Sequence, residues 1–579
     1  MATMENHAAS GEKNKVEAGD NKYFVAPSVA DTPDENEKER PTAPAKQTAN
    51  YEITDPLTKA GHTGLLHYGY DLIRGKDLRS EGLEQSDKTH DKQPAHTWKA
   101  QLSLLCLKLL WFINTPMAMM GNLVEDTVNL FLANGGILKT LFRLFFYRSR
   151  LVILERDHED YVSFGGFLDQ RFALYITSKP QKEDGEATAT IFPGTEYGSK
   201  FTADVLVMAS KLAYENAKYV EKVVTKVWKM HFVAFYDCWN EFQKQNNTQV
   251  FIFTDRPENA RAVVVAFRGT EPFHALDWST DFDFSWFDIE GLGQVHVGFM
   301  EALGLGDRNR METFKDMYHN AQTQQTNAHE GSHMSGIAHD QENKKLAYDH
   351  ITATVKEIMK KNPEAKLFVT GHSLGGALAN LYTAFLFFNN EDLITNRFGA
   401  LYTFGQPRVG SEQYSKFLIS KIGKSRYWRV VYGNDLVPRI PFDDLHFEFK
   451  HCGYCYYFDE RFEEQTLKEA PNHNYFSWRI STIIGQRIGA LYDLILSCFS
   501  GWIYGPEFRE DWQSICVRFG GLFMPGMSAH LMNNYVSAIR LGPTLLEARI
   551  HDKGANGLIN FFLSYLGRRT YPAVTAYHH

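Results

Sequence analysis

Three short stretches carry side chains that can do chemistry together. The first is LFVTGHSLGGALANL, Leu367 to Leu381, with Ser373 at the centre of a Gly-x-Ser-x-Gly pentapeptide. The apolar run Leu367-Phe368-Val369 before it reads as a buried strand, and Leu374, Ala377, Leu378 and Leu381 after it fall at helical spacing. A strand that turns sharply into a helix holds a serine hydroxyl exposed above a sheet, and it needs small neighbours such as Gly371, Gly375 and Gly376. Alone, the segment also fits an ordinary strand-to-helix turn. With 43 glycines among 579 residues a chance match is no surprise, so partners must decide.

A serine hydroxyl is a weak nucleophile until a base takes its proton and a carboxylate orients that base. Where such an elbow occurs, the chain order is serine, carboxylate, histidine. RYWRVVYGNDLVPRIP, Arg426 to Pro441, supplies Asp435 just after the strand-like Val430-Val431-Tyr432; standing alone, that aspartate would read as an Asx-turn residue. Five histidines follow, His446, His451, His473, His530 and His551, and position does not choose among them. His530 follows a Pro-Gly turn and heads the amphipathic run Leu531, Tyr535, Val536 and Ile539; His473, in the polar turn PNHNY, is the second choice. Upstream, RAVVVAFRGTEP reads as a buried strand, Ala262 to Phe267, ending in Arg268-Gly269-Thr270. Thr270, through its backbone N–H and hydroxyl, and the backbone N–H of Leu374 are the candidate donors to a developing oxyanion.

The elements that must position these groups come from a chain able to bury a large core, with 44% hydrophobic and 14% aromatic residues. A net charge of −8 gives no general support for a nucleic-acid partner. The six cysteines are too sparse and irregular for a disulfide scaffold, and Cys452-Gly-Tyr-Cys455 reads as reduced thiols rather than a zinc or redox pair. His319, His329, His333 and His339 lie in a polar stretch without a scaffold to fix a metal. No metal is therefore expected, and the serine chemistry outlined above needs no organic cofactor. The first residues lack an apolar core of a secretory signal, so the chain is expected to start in the cytosol and not to be secreted.

Residues 1–50 are charged, rich in Pro, Ala and Glu, and almost free of large apolar side chains, which predicts a disordered tail. A helical region, 51–155, precedes a catalytic domain, 156–579, which carries insertions at 319–345 and 452–518. Within the helical region, QLSLLCLKLLWFINTPMAMM nearly reaches the roughly 20 apolar residues a bilayer span requires. Lys108 and Pro116 interrupt it, the first by charge and the second by an expected kink. Asn134-Gly135-Gly136 breaks the helix; Lys139, Arg143, Arg148 and Arg150 then give the next apolar segment a basic rim. That pattern suits helices lying on a lipid surface, or else a helical layer buried against the following domain. A third apolar block, Ile480 to Gly505, is interrupted by Arg487 and Asp493 and reads as a surface or lid-like helix.

AFRGT, HVGF (His296 to Phe299), TGHSLGGALA, TFGQPRVG (Thr403 to Gly410) and GNDLVPRIP, in this order and spacing, resemble the class 3 (fungal-type) lipase family from Val263 to Leu541. The N-terminal amphiphilic region and the late apolar block look like those of the plant oil-body triacylglycerol lipases. The resemblance implies an α/β-hydrolase fold, a triad of Ser373, Asp435 and His530, and Thr270 and Leu374 as oxyanion donors. It also implies a mobile lid in EPFHALDWSTDFDFSWFD, where Phe273, Trp278, Phe282, Phe284, Trp286 and Phe287 gather beside the active strand. One departure is the long Asp435-to-His530 interval, where Cys452 to Arg518 looks inserted. The expected function is a serine lipase that hydrolyses triacylglycerol, with di- and monoacylglycerol, at the cytosolic face of a lipid droplet. The rival expectations are an acylhydrolase of phospholipid or galactolipid and a non-enzymatic lipase-like scaffold.

Overall fold

The structure, a computed structural model, describes residues 98–147, 151–175, 200–283, 285–308, 310, 313–314, 345–441, 443, 449–472 and 480–542. The expected N-terminal tail, the polar stretch 319–344, Arg148, Arg150 and the candidate histidines His446, His473 and His551 lie outside the described residues.

One eight-stranded sheet organises the chain, in the order β1-β2-β3-β6-β7-β8-β9-β10. Its strands are β1 (His231–Asn240), β2 (Gln245–Thr254), β3 (Ala262–Phe267), β6 (Lys366–His372), β7 (Phe398–Phe404), β8 (Tyr427–Tyr432), β9 (Cys455–Phe458) and β10 (Glu464–Leu467). A separate hairpin joins β4 (Trp286–Ile289) to β5 (Gly293–His296). From β3 through β9 the neighbours run parallel, while β1, β2 and β10 are antiparallel additions at the edges. Parallel strands covered on both faces should be apolar throughout, and β3, β6, β7 and β8 are buried almost without interruption.

The helices used below are α1 (Trp98–Ala133), α2 (Phe164–Leu168), α3 (Lys200–Leu212), α4 (Ala275–Phe282), α5 (Ala347–Lys361), α6 (Leu374–Phe388), α7 (Glu412–Ile422), α8 (Ile480–Ile503), α9 (Trp512–Gly521), α10 (Pro525–Ala529) and α11 (Met532–Leu541). Two cores sandwich the sheet. One gathers α5, α6 and α7 over Val263, Val265, Phe267, Leu367 and Val369; the other gathers α3 and α11 over Val264, Ala266, Phe368 and Tyr402. Alternation along each strand assigns its side chains to the two sides.

Helix α1 runs through Pro116 without interruption and ends where Gly135 and Gly136 take φ of +84° and +98°. It lies against α4, and a Cβ on Gly121 would overlap the Cβ of Phe273. The segment that returns along α1 is strapped to it by two asparagines. Asn129 accepts from the Val162 amide at 2.9 Å and donates to the Val162 carbonyl at 2.9 Å; Asn134 does the same for Val152 at 3.0 and 2.8 Å. Each side chain thus stands in for a neighbouring strand. The stretch read as an insertion, Cys452 to Arg518, contributes β9 and β10 to the sheet and then α8 and most of α9. Both cysteines of the C-x-x-C are buried and free, and burial pushes their thiols up to about 11. Among the described residues no helix is long and apolar enough to cross a membrane, and no group of three or more His, Cys, Asp and Glu could hold a metal.

Candidate active site

The parallel strands β3, β6 and β8 deliver their C-terminal ends to the same edge of the sheet. Ser373 follows β6 directly, with φ 57° and ψ −133°, and α6 begins at the next residue. A non-glycine residue held there carries strain of order 1–3 kcal/mol, which the surrounding packing must impose. Two glycines permit that packing. A Cβ on Gly371 would overlap the Gly375 carbonyl, and one on Gly375 would overlap the Phe267 carbonyl at the end of β3. The elbow's need for small neighbours, argued from the sequence, is thus a matter of backbone meeting backbone.

His530 is brought to the elbow by the short helix α10 and the start of α11. Its Nε2 lies 2.7 Å from Ser373 Oγ and its Nδ1 lies 2.7 Å from Asp435 Oδ2. All three residues are buried. In a neutral imidazole whose Nδ1–H donates to the carboxylate, Nε2 is left as an acceptor facing the serine hydroxyl. The arrangement can therefore take a proton from Ser373 and hold the resulting imidazolium against a carboxylate.

Asp435 is fixed by more than His530. Its Oδ1 accepts from the Val437 amide at 2.9 Å, and its Oδ2 also accepts a short bond from the Tyr535 hydroxyl. The turn that presents it is clamped by Arg439, which donates to the Asp435 carbonyl, to the Gly433 carbonyl at 3.0 Å and to the Pro471 carbonyl at 2.9 Å. Gly405, at φ +60°, leaves room for the pair: a Cβ there would sit 3.0 Å from both Asp435 Oδ2 and His530 Cε1.

Behind the imidazole stands a second one. The His372 and His530 rings stack at 4.4 Å, and His372 Nε2 donates to the His530 carbonyl at 3.0 Å. A carbonyl only accepts, so His372 Nδ1 is unprotonated and accepts the Tyr214 hydroxyl at 2.8 Å. Burial, with the neighbouring His530, holds the His372 pKa well below the usual imidazole range. It stays neutral and adds no positive charge beside the base.

On the other side, β3 ends in Arg268-Gly269-Thr270. A Cβ on Gly269 would overlap the Tyr214 hydroxyl and crowd the His372 carbonyl, and it would lie 3.0 Å from Ser373 Cβ, so only glycine lets this strand end reach the elbow. Thr270 and Leu374 are both buried here, Thr270 next to Gly269 and Leu374 at the first position of α6. Arg268 anchors the segment that follows, with a bond to the Asn247 carbonyl at 2.9 Å, a short one to Glu271, and a contact with Asp277 at 3.7 Å. Asp277 in turn accepts from the Glu271 amide at 3.1 Å and pairs with His274 at 2.8 Å. Burial opposes the charge on Asp277, yet His274 and Arg268 outweigh it and hold the carboxyl below its usual range. The stretch read as a lid is accordingly a helix, α4, with a polar foot set into the protein. Its Phe273 packs edge-on against Phe164 of α2 at 4.9 Å; Trp278, Trp286 and Phe287 are half-buried, and the side chains of Phe282 and Phe284 lie outside the described residues.

Of the histidines weighed from the sequence, the described ones are His451 and His530. His451 is buried elsewhere and donates to the Pro438 carbonyl at 2.7 Å. The structure brings Ser373, Asp435 and His530 together and sets Thr270 and Leu374 beside them. Sequence reasoning missed Tyr535, which it counted as part of an apolar helix face, and Tyr214, His372 and Gly405. The hint was position: His372 lies inside TGHSLGGALA, Gly405 inside TFGQPRVG and Tyr535 in the run after His530, while Tyr214 lies in no motif singled out.

Residues 264–445 match the class 3 lipase family. Triacylglycerol lipase OBL1 of Nicotiana tabacum is 40% identical over 516 residues, which cover 82% of this chain and 89% of that protein. Triacylglycerol lipase OBL1 of Arabidopsis thaliana is 40% identical over 507 residues, 86% of this chain and 96% of that protein, and that of Ricinus communis is 39% identical over 79% and 89%. The likeness therefore runs well outside the matched family segment. With its α/β-hydrolase sheet, its strained elbow and relatives matched over nearly their whole length, this chain belongs to the class 3 lipase family.

Proposed function

We propose that the protein is a serine lipase that hydrolyses the ester bonds of triacylglycerol, and of di- and monoacylglycerol, at the surface of a lipid droplet. The observation that carries this reading is the hydrogen-bonded line Ser373–His530–Asp435, two steps of 2.7 Å, ending on the hydroxyl at the elbow. Ser373 Oγ attacks the acyl carbonyl carbon while its proton passes to His530 Nε2. Asp435 holds the imidazolium, and the backbone N–H groups of Thr270 and Leu374, with the Thr270 hydroxyl, receive the charge on the former carbonyl oxygen. Collapse of the tetrahedral species returns the proton to the leaving glycerol oxygen. Water then repeats the sequence on the acyl-enzyme and releases the fatty acid.

The N-terminal helices supply the hold on the droplet. Leu138, Phe145 and Phe146 are 83%, 72% and 74% exposed, and Lys139 and Arg143 stand among them, so rings can enter the acyl layer while cations meet phosphates. Because α1 packs on α4, this hold also reaches the wall that must move to admit an acyl chain.

Fatty-acid release from triolein emulsion, compared with phosphatidylcholine vesicles and galactolipid, tests the substrate class. Faster release from either polar lipid would replace the triacylglycerol reading. Hydrolysis that survives Ser373→Ala in purified protein would remove the mechanism. Leu138→Asp with Phe145→Asp and Phe146→Asp should release the protein from droplets.

A further inference from the structure

Helix α8 is built inside out. Ile484, Ile488, Leu491, Ile495, Phe499 and Trp502, spaced four, three, four, four and three apart, form one stripe, and every one of them is exposed, Trp502 by 92%. The opposite stripe, Ala490, Asp493, Ser497 and Ser500, is buried. A helix on an aqueous surface places its small and polar residues outward. Here they face the protein, and Asp493 accepts the Tyr432 hydroxyl at 3.0 Å.

The apolar face continues onto α9 and the turn after it, where Trp512, Phe519, Phe523 and Met524 are exposed. The apolar stripe itself carries no charged side chain. At its edge the exposed Arg487 donates to the Leu522 carbonyl at 2.6 Å, and with the exposed Glu507, Arg509 and Asp511 at the far end the rim holds two cations against two anions. A rim that sums to zero gives an anionic headgroup no net attraction, in contrast to Lys139 and Arg143 beside the N-terminal face.

The same helices grip the catalytic base. Met524 is joined through α10 to His530. Arg518 of α9 holds Glu510 at 2.6 and 2.7 Å and donates to Asn534 Oδ1 at 2.6 Å; Asn534 then donates to the Ser528 and Ala529 carbonyls just before His530 at 2.9 and 3.2 Å. A Cβ on Gly521 would overlap the Ser528 side chain, so α9 receives that side chain of α10 only because the position is glycine.

We propose that the outward face of α8 and α9 is a second docking surface, made for an uncharged acyl-lipid surface, which seats the His530 side of the site against the substrate phase. The proposal rests on the reading of the protein as a neutral-lipid hydrolase and adds to it a contact separate from the N-terminal helices.

The test is flotation of the full-length protein with triolein emulsion coated with phosphatidylcholine, run in parallel on Ile488→Glu/Ile495→Glu/Trp502→Glu and on the Ser373→Ala protein. The triple variant should lose roughly tenfold or more of its emulsion binding and emulsion hydrolysis. Its kcat/KM on a dissolved short-chain ester should equal the parent's, and the lost part of the binding should be insensitive to salt and to added phosphatidylserine. Ser373→Ala should float like the parent, so a failure of the hydrolase reading shows as absent hydrolysis with docking intact. Unchanged emulsion binding in the triple variant overturns the proposal. So does conversion of a parent dimer to a monomer at equal emulsion binding, which assigns the face to a second copy of the chain. So does a gain of emulsion binding on removal of residues 543–579, which assigns it to the chain's own C-terminal segment. If the triple variant loses the dissolved-ester activity, Trp502→Gln decides by the same two measurements.

Discussion

The two halves of the site are held by different means. The oxyanion half, Gly269-Thr270 with α4 beyond it, rests on close approach, Gly269 against the elbow and Gly121 of α1 against Phe273, above one polar foot where Arg268 and His274 meet Asp277. The base half, Asp435 and His530, rests on donors and acceptors: Tyr535, Val437, Arg439 and His372 below, Arg518 and Asn534 behind. Each half is backed by one exposed apolar face, a basic one before the sheet and a neutral one after it. Buried polar groups are costly when one partner is lost, whereas a glycine contact is lost only when something larger intrudes. The base half should therefore be the more sensitive to subtraction, and the oxyanion half to addition.

The largest effects should fall where the proton moves. His530→Ala or Ser373→Ala should lower kcat on a dissolved ester by roughly a million-fold, as for triads elsewhere, with emulsion binding unchanged. Asp435→Asn should cost roughly ten-thousand-fold, by allowing the wrong imidazole tautomer. Tyr535→Phe, which leaves Asp435 with its other donors, should cost far less in the same assay, and equal losses would mean that Tyr535 reaches the reacting atoms. Thr270→Val, in the oxyanion half, should lower kcat by roughly 10²-fold while KM holds, because the backbone donors survive. A loss as large as that of Asp435→Asn would erase the contrast between the halves.

Addition is tested at Gly121→Val, which drives a side chain into Phe273. Thermal or urea unfolding should show a loss of about 1–3 kcal/mol, with the dissolved-ester pH profile unmoved. The smallest effect is a pH dependence behind the base half. Burial, only partly offset by Arg518, raises Asp493 to about 7 from 3.8. A carboxyl whose folded value is raised stabilises the fold below its unfolded value, and that contribution is lost as pH rises through the folded one. Between about pH 4 and 7 the parent should therefore lose stability that Asp493→Asn, a mimic of the neutral acid, keeps. The variant's melting temperature should gain on the parent's from pH 5 to pH 8, and parallel curves would place the titration elsewhere.

Much of this was legible beforehand, for identifiable reasons. Strands β3, β6 and β8 sit between two helical layers, so their apolar runs are unbroken and betray them in the sequence. Gly371 and Gly375 announced a close turn, and Asn134-Gly135-Gly136 ended α1 as expected, with Pro116, where a kink is expected, lying inside the helix. Within the long interval between Asp435 and His530, the strands β9 and β10 went unread because they are four residues each, too short to show a period. Tyr535 could not be singled out: a tyrosine on an amphipathic helix looks apolar until its hydroxyl has a partner 100 residues away.

Residue order alone determined that a serine would stand between a buried strand and a helix, with a carboxylate after a later strand, because burial and turn geometry are local properties. It also determined that α8 has two unlike faces, since periodicity is local too. Which histidine meets the serine, and which face of α8 turns inward, was decided only by the folded chain. Both depend on contacts between segments far apart: His530 meets Ser373 across 157 residues, and Asp493 meets Tyr432 across 61.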